Sequence, residues 1–100
     1  MRFARVALAS GLVALAACVP MAPPGVYVVA VRPPAYRREV MGRAPGPDYV
    51  FIRGYWTWGG AAYRWVPGHW DRRPYARARW EPGHWRHARR GWYWAPGRWR

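Results

Sequence analysis

Seven tryptophans and three arginines recur in register along the second half of the chain: Trp56, Trp65, Trp70, Trp80, Trp85, Trp94, Trp99, Arg64, Arg79 and Arg98. They are the candidate ligand-binding residues. An indole offers a flat platform to a sugar face or a membrane interface, and a guanidinium offers a planar fork to carboxylate or phosphate. Little else in the composition can do chemistry. There is no Lys, Asn or Gln, the one serine is Ser10, the one threonine is Thr57, and the acids are Glu39, Asp48, Asp71 and Glu81. Beyond residue 17 a serine nucleophile is therefore excluded. A glycosidase needs two carboxylates held roughly 5 to 10 Å apart across a cleft, which four scattered acids on a small sheet do not supply. No enzyme activity, catalytic residue or cofactor is expected. His69 and His84 share one motif position and His87 follows at i+3, but a metal site wants three or four converging ligands, so solvated strand histidines are expected and no metal.

The elements that position these residues are written as a repeat. Phe51 to Trp56 (FIRGYW), Trp65 to Trp70 (WVPGHW), Trp80 to Trp85 (WEPGHW) and Trp94 to Trp99 (WAPGRW) are four versions of one six-residue pattern, their last tryptophans 14, 15 and 14 residues apart. Alternating aromatics between Gly- and Pro-containing connections read as strands. Trp58-Gly59-Gly60-Ala61 carries a hairpin signal, since two glycines accept the positive φ of a primed turn. With Gly59 and Gly60 as a two-residue loop, Trp58 faces Ala61, Trp56 faces Tyr63, Gly54 faces Trp65 and Phe51 faces Gly68, so that a ring covers each motif glycine. Asp71 to Arg77 and Arg86 to Gly91 read as longer polar turns. The expected fold is all-β, a small antiparallel meander of about four strands with one W-x-P-G-x-W motif per strand.

Pro67, Pro82 and Pro96 cannot donate to a strand ladder, so each Pro-Gly pair marks a bulge or kink. The rival reading makes each pair the centre of a tight turn. In the first copy Arg53 replaces the proline, and that strand is expected to run straighter.

The N-terminus reads as an export signal. Arg2 and Arg5 precede an apolar run, Val6 to Ala14, and Leu15, Ala16 and Ala17 lead into Cys18. A spanning helix needs roughly 20 apolar residues, more than this stretch has before Pro20. Leu15-Ala16-Ala17-Cys18 resembles the lipobox of bacterial lipoproteins, and Cys18 is the one cysteine. The resemblance implies cleavage of residues 1–17 and acylation of Cys18, with Val19 resembling an outer-membrane address; the alternative is an ordinary secretory signal. Loss of that leader leaves fifteen arginines against four acids, a formal charge of +11. Residues 18–36, rich in proline, read either as a spacer between lipid and domain or as an edge strand, Val26 to Val31, covering the first hairpin. A second short strand is read at Glu39-Val40. The β domain is placed at 37–100.

Residues 37–100 resemble the bacterial WxxGxW repeat family, also described as the YxWGxW repeat. The resemblance rests on Ala44 to Val50 (APGPDYV), the Gly-Tyr-Trp-x-Trp-Gly-Gly hairpin and the closing Gly-Arg-Trp-Arg. It implies a small exported, often lipid-anchored protein of the cell envelope, and no catalytic residues. An aromatic patch ringed by arginine is a binding-surface signature, although the same rings and guanidiniums can stack on one another in a domain with little aliphatic core. The expected partners are the membrane, through the lipid anchor, and anionic peptidoglycan or lipopolysaccharide. A protein-interaction module for another envelope protein is the alternative, and nucleic acid is not the expected ligand of an exported chain.

Overall fold

The computed structural model describes residues 19–100. The expected leader, residues 1–17, and Cys18 lie outside the described residues. Within them there is no helix, and eight short strands run in order as β1 (Tyr49–Ile52), β2 (Tyr55–Trp58), β3 (Tyr63–Val66), β4 (His69–Arg72), β5 (Trp80–Glu81), β6 (His84–Ala88), β7 (Gly91–Ala95) and β8 (Arg98–Trp99). β1 pairs with β4, β2 with β3, β5 with β8 and β6 with β7, all antiparallel. The molecule is thus two long hairpins of two arms each, all-β as expected, with one motif in each of four arms.

Each arm is interrupted inside its motif, at Arg53-Gly54, Pro67-Gly68, Pro82-Gly83 and Pro96-Gly97, and resumes against the same partner arm. The Pro-Gly pairs are therefore kinks within an arm rather than turns between arms. The first arm breaks as the others do despite Arg53, against the expectation of a straighter strand. Its break comes from Gly54, whose N–H turns out of the ladder to a side chain described below.

The register also differs from the expected one. Trp58 faces Tyr63, Trp56 faces Trp65 and Phe51 faces Trp70, because Gly59 to Ala62 form a four-residue loop closed by Gly59 N–H donating to the Ala62 carbonyl at 2.9 Å. Gly60 takes φ +94° there. The two-residue slip keeps every side chain on its expected face and brings aromatics directly opposite one another. In the second hairpin the connection is shorter than expected: β6 runs on to Ala88, and Arg89-Arg90 form the loop.

The pairing explains how so small a sheet holds together. Arg79 and Arg100 exchange both backbone hydrogen bonds, at 2.9 and 2.8 Å, so the next pair, Trp80 and Trp99, is of the non-hydrogen-bonded kind in which side chains approach most closely. Phe51–Trp70, Trp56–Trp65, Trp80–Trp99 and Trp85–Trp94 meet at centroid distances of 5.4, 5.2, 5.2 and 5.6 Å. Such pairs contribute about 0.5–1.5 kcal/mol each beyond the area they bury. Aliphatic burial is slight, and the buried hydrophobic residues are Val29, Ile52, Ala78, Ala88 and Tyr93.

The hairpins join through side chains. Tyr55 stacks on Trp94 at 4.7 Å, Tyr63 meets Trp85 edge-on at 5.4 Å, and Trp85 Nε1–H donates to the Trp56 carbonyl at 2.8 Å. Residues 20–41 form an extended strap along both hairpins. Val29 bridges Trp92 through two hydrogen bonds of 2.7 Å, and Pro20 accepts from Arg89 N–H. Gly91, at φ +148°, lets the strap approach, since a Cβ there would strike the Val29 carbonyl. Glu39 and Val40 are not in a strand.

Candidate functional site

Where the two interrupted arms of the first hairpin face each other, the ladder opens between the Tyr55–Val66 and Ile52–His69 pairs. Gly54 and Gly68 lie in the gap, and Glu39 from the strap fills it. Its Oε1 accepts from Gly54 N–H and its Oε2 from Gly68 N–H, both at 2.7 Å. No side chain larger than hydrogen fits at either glycine: a Cβ on Gly54 would lie 2.5 Å from Trp65 Cζ2 and one on Gly68 2.6 Å from Phe51 Cζ. The rings cover the motif glycines as expected from the sequence, but diagonally rather than directly opposite. The Gly68 N–H bond holds the Glu39 carboxyl below the ordinary glutamate range, opposed by desolvation and helped by Gly54 N–H and the Trp65 side chain. The arrangement is a two-donor cradle for one carboxylate.

The seven candidate tryptophans, with Trp58 and Trp92, are all half-buried. Their indole N–H groups do not all face solvent: Trp56 donates to the Ala35 carbonyl at 2.9 Å and Trp70 to that of Met41 at 2.8 Å, so both hold the strap. Tyr63 does the same through its hydroxyl to the Val31 carbonyl, and burial raises its pKa. Arg64 is exposed beside Gly59, and Arg79 is exposed with its backbone paired to Arg100. Arg98 is engaged by Glu81 at 3.1 Å, and Glu81 also accepts from Arg100. These two arginines, Arg100 first, hold the Glu81 carboxyl below its usual range.

The guanidiniums that lie over rings come instead from the strap and the first motif. Arg37 lies 4.9 Å from the Trp56 ring centroid and 6.0 Å from that of Trp65, Arg32 lies 5.6 Å from Trp92, and Arg53 lies 4.6 Å from Tyr36. Sequence reasoning missed Arg32, Arg37 and Glu39. The signal was there in one respect, since Glu39 is the sole acid between Cys18 and Asp48, set directly after Arg37-Arg38.

Between strap and hairpins lies a groove of about 410 Å³, walled by Trp56, Trp85 and Trp92 and carrying Arg32, Tyr36 and His84. His84 Nε2 accepts from Arg86 Nε at 2.9 Å, which ties it to the same edge. Among the described residues no three His, Cys, Asp or Glu side chains come together as a metal-ligand group, and no helix is long and apolar enough to cross a membrane. The groove offers flat aromatic surface and positive charge, which is chemistry for stacking and anion pairing.

The family model of the WXXGXW repeat matches the chain in two copies, residues 46–71 and 79–100. Each copy coincides with one hairpin, so the unit that repeats holds two of the six-residue motifs. No curated protein and no solved structure matches the chain. With a repeat on each hairpin and the motif glycines at every break, this chain belongs to the WXXGXW repeat family.

Proposed function

We propose that the protein is a non-enzymatic lipoprotein of the bacterial envelope, acylated at Cys18, whose Trp/Arg surface binds an anionic envelope glycan or lipid, peptidoglycan or lipopolysaccharide. The observation that carries this reading is the groove walled by Trp56, Trp85 and Trp92 with Arg32 at its edge. Indole faces take sugar rings, and the unpaired guanidiniums take carboxylate or phosphate. The large excess of arginine over acid draws the protein to polyanions of either kind. Co-sedimentation of the full chain, in a nonionic detergent, with purified sacculi and separately with lipopolysaccharide tests it. Binding should weaken as salt rises and should fall with Trp92→Ala and with Arg32→Ala; binding indifferent to salt and to both variants would sink the proposal.

One observation favours a second reading. Every sheet among the described residues is two-stranded, so apart from the Val29–Trp92 bridge the arms' outer edges have no strand partner, and such edges accept a further strand from another protein. Saturable binding to one envelope protein, unaffected by free glycan, would support that reading over the first.

A further inference from the structure

The two hairpins place their motif glycines and covering rings alike, with Trp80 where the first has Phe51, and differ in what fills the break. Gly83 and Gly97 sit in the breaks of the second hairpin as Gly54 and Gly68 sit in those of the first. Trp94 Cζ2 lies 2.5 Å from where a Gly83 Cβ would be, matching Trp65 over Gly54, and the Trp80 ring covers Gly97 as Phe51 covers Gly68. The two glycines approach each other across the break: a Cβ on Gly83 would lie 2.7 Å from Gly97 N, and one on Gly97 would lie 2.9 Å from Gly83 N. In the first hairpin the atom found in that space is Glu39 Oε1, 2.7 and 2.8 Å from the corresponding Cβ positions. In the second, neither glycine N–H meets an acceptor among the described residues.

The space is open. A cleft of about 290 Å³ is lined by Gly83 and Gly97, by Trp80 and Trp94, and by Arg53 and His69 of the first hairpin. We propose that this cleft is a binding site for a carboxylate presented by another molecule, held as the first hairpin holds Glu39, with one oxygen on each glycine N–H. Trp80 covers Gly97 with its Cζ2–Cη2 edge where Phe51 covers Gly68 with its Cζ. Arg53 lines the cleft while its guanidinium lies over the Tyr36 ring, and hydrogen bonds from the glycine amides to a charged acceptor are the stronger kind. A carboxylate is favoured over a phosphate because the twin site is built for two coplanar oxygens between opposed rings. Under the surface-binding reading above, the carboxylates available are those of peptidoglycan peptides. The site itself rests on the duplicated geometry and not on that reading.

The test is a titration of ¹⁵N-labelled full chain, in a nonionic detergent, with sodium acetate, against sodium chloride and sodium phosphate at matched ionic strength. Acetate should move the Gly83 and Gly97 amides and the Trp80 and Trp94 indole N–H signals saturably, while Gly54 and Gly68, already satisfied, stay still. Trp80→Phe, which gives the second cradle the ring that the first has over Gly68, should leave the acetate response in place. Still amides at high acetate, or phosphate acting at lower concentration than acetate, would overturn the assignment. Sacculus binding without amide shifts would remove this site and leave the surface reading standing; amide shifts without sacculus binding would do the reverse.

Discussion

Replacing Glu39 by glutamine tests the cradle most directly, because it changes charge and one donor while keeping shape. In the native protein each carboxylate oxygen takes one glycine N–H at 2.7 Å. Glutamine keeps one acceptor and points an NH₂ at the other amide. One charge-assisted bond is lost and the remaining one becomes neutral; at about 1.5 kcal/mol for the first and about 0.5 kcal/mol for the second, the cost is about 2 kcal/mol. For a domain of this size each kcal/mol shifts the melting midpoint by about 4–8 °C, so the variant should melt about 8–16 °C lower. Near-ultraviolet circular dichroism during heating is the assay. The pH dependence supplies a second readout. The folded pKa of Glu39 is depressed, so the unfolded chain takes up the proton first; the stabilisation is complete above the unfolded value and is lost as pH falls through the folded one. The gap between native protein and Glu39→Gln should therefore be full above about pH 5 and close as acid is added. Asp48, Asp71 and Glu81 are common to both proteins and cancel in the difference. Glu39→Ala empties the cradle, and acetate at ten times its dissociation constant should restore about 1.4 kcal/mol. A Glu39→Gln midpoint within about 3 °C of native, well under the shift worked above, at neutral pH would refute the reasoning.

Other outcomes follow from the same contacts. Gly91→Ala places a methyl on the Val29 carbonyl and should free the strap, read as faster hydrogen exchange at the Val29 and Trp92 amides with slower-changing exchange in β2 and β3. Trp85→Phe removes the indole bond to the Trp56 carbonyl that joins the hairpins and should cost about 1 kcal/mol in a denaturant titration, with the urea slope unchanged. The lipoprotein proposal predicts that Cys18→Ala removes an acyl mass from intact-mass spectra and moves the protein from the membrane to the soluble fraction.

Much of the architecture was legible in the sequence, for identifiable reasons. Tryptophan is rare, so its spacing marked the four arms, and proline without an N–H marked the kinks at Pro67, Pro82 and Pro96. The ring over each motif glycine was legible too, since a two-residue slip of register preserves the face. The register itself was not: Gly59-Gly60 satisfies a primed turn locally, and the four-residue loop is preferred because it sets Trp56 against Trp65 and Phe51 against Trp70. Nor could the break at Arg53-Gly54 be read, since its cause is a carboxylate 15 residues away in sequence. Arg64, Arg79 and Arg98 were chosen for their position in the motif, whereas ring contact depends on the path of the strap, which puts Arg32 and Arg37 there. Periodicity describes what neighbours along an arm share. It is silent about a segment that crosses several arms.

The edge-to-face indole pairs carry an optical consequence. Two ring chromophores held at 5.2 Å and steeply inclined to one another, as Trp56–Trp65 and Trp80–Trp99 are, couple their electronic transitions as excitons. Their far-ultraviolet circular dichroism should split into lobes of opposite sign that overwhelm the weak amide spectrum of so short a sheet. A content of secondary structure fitted to that spectrum would be misleading, but the split is its own ruler. It exists only while the paired rings keep their mutual angle, so its amplitude reports the closing of each hairpin without any label.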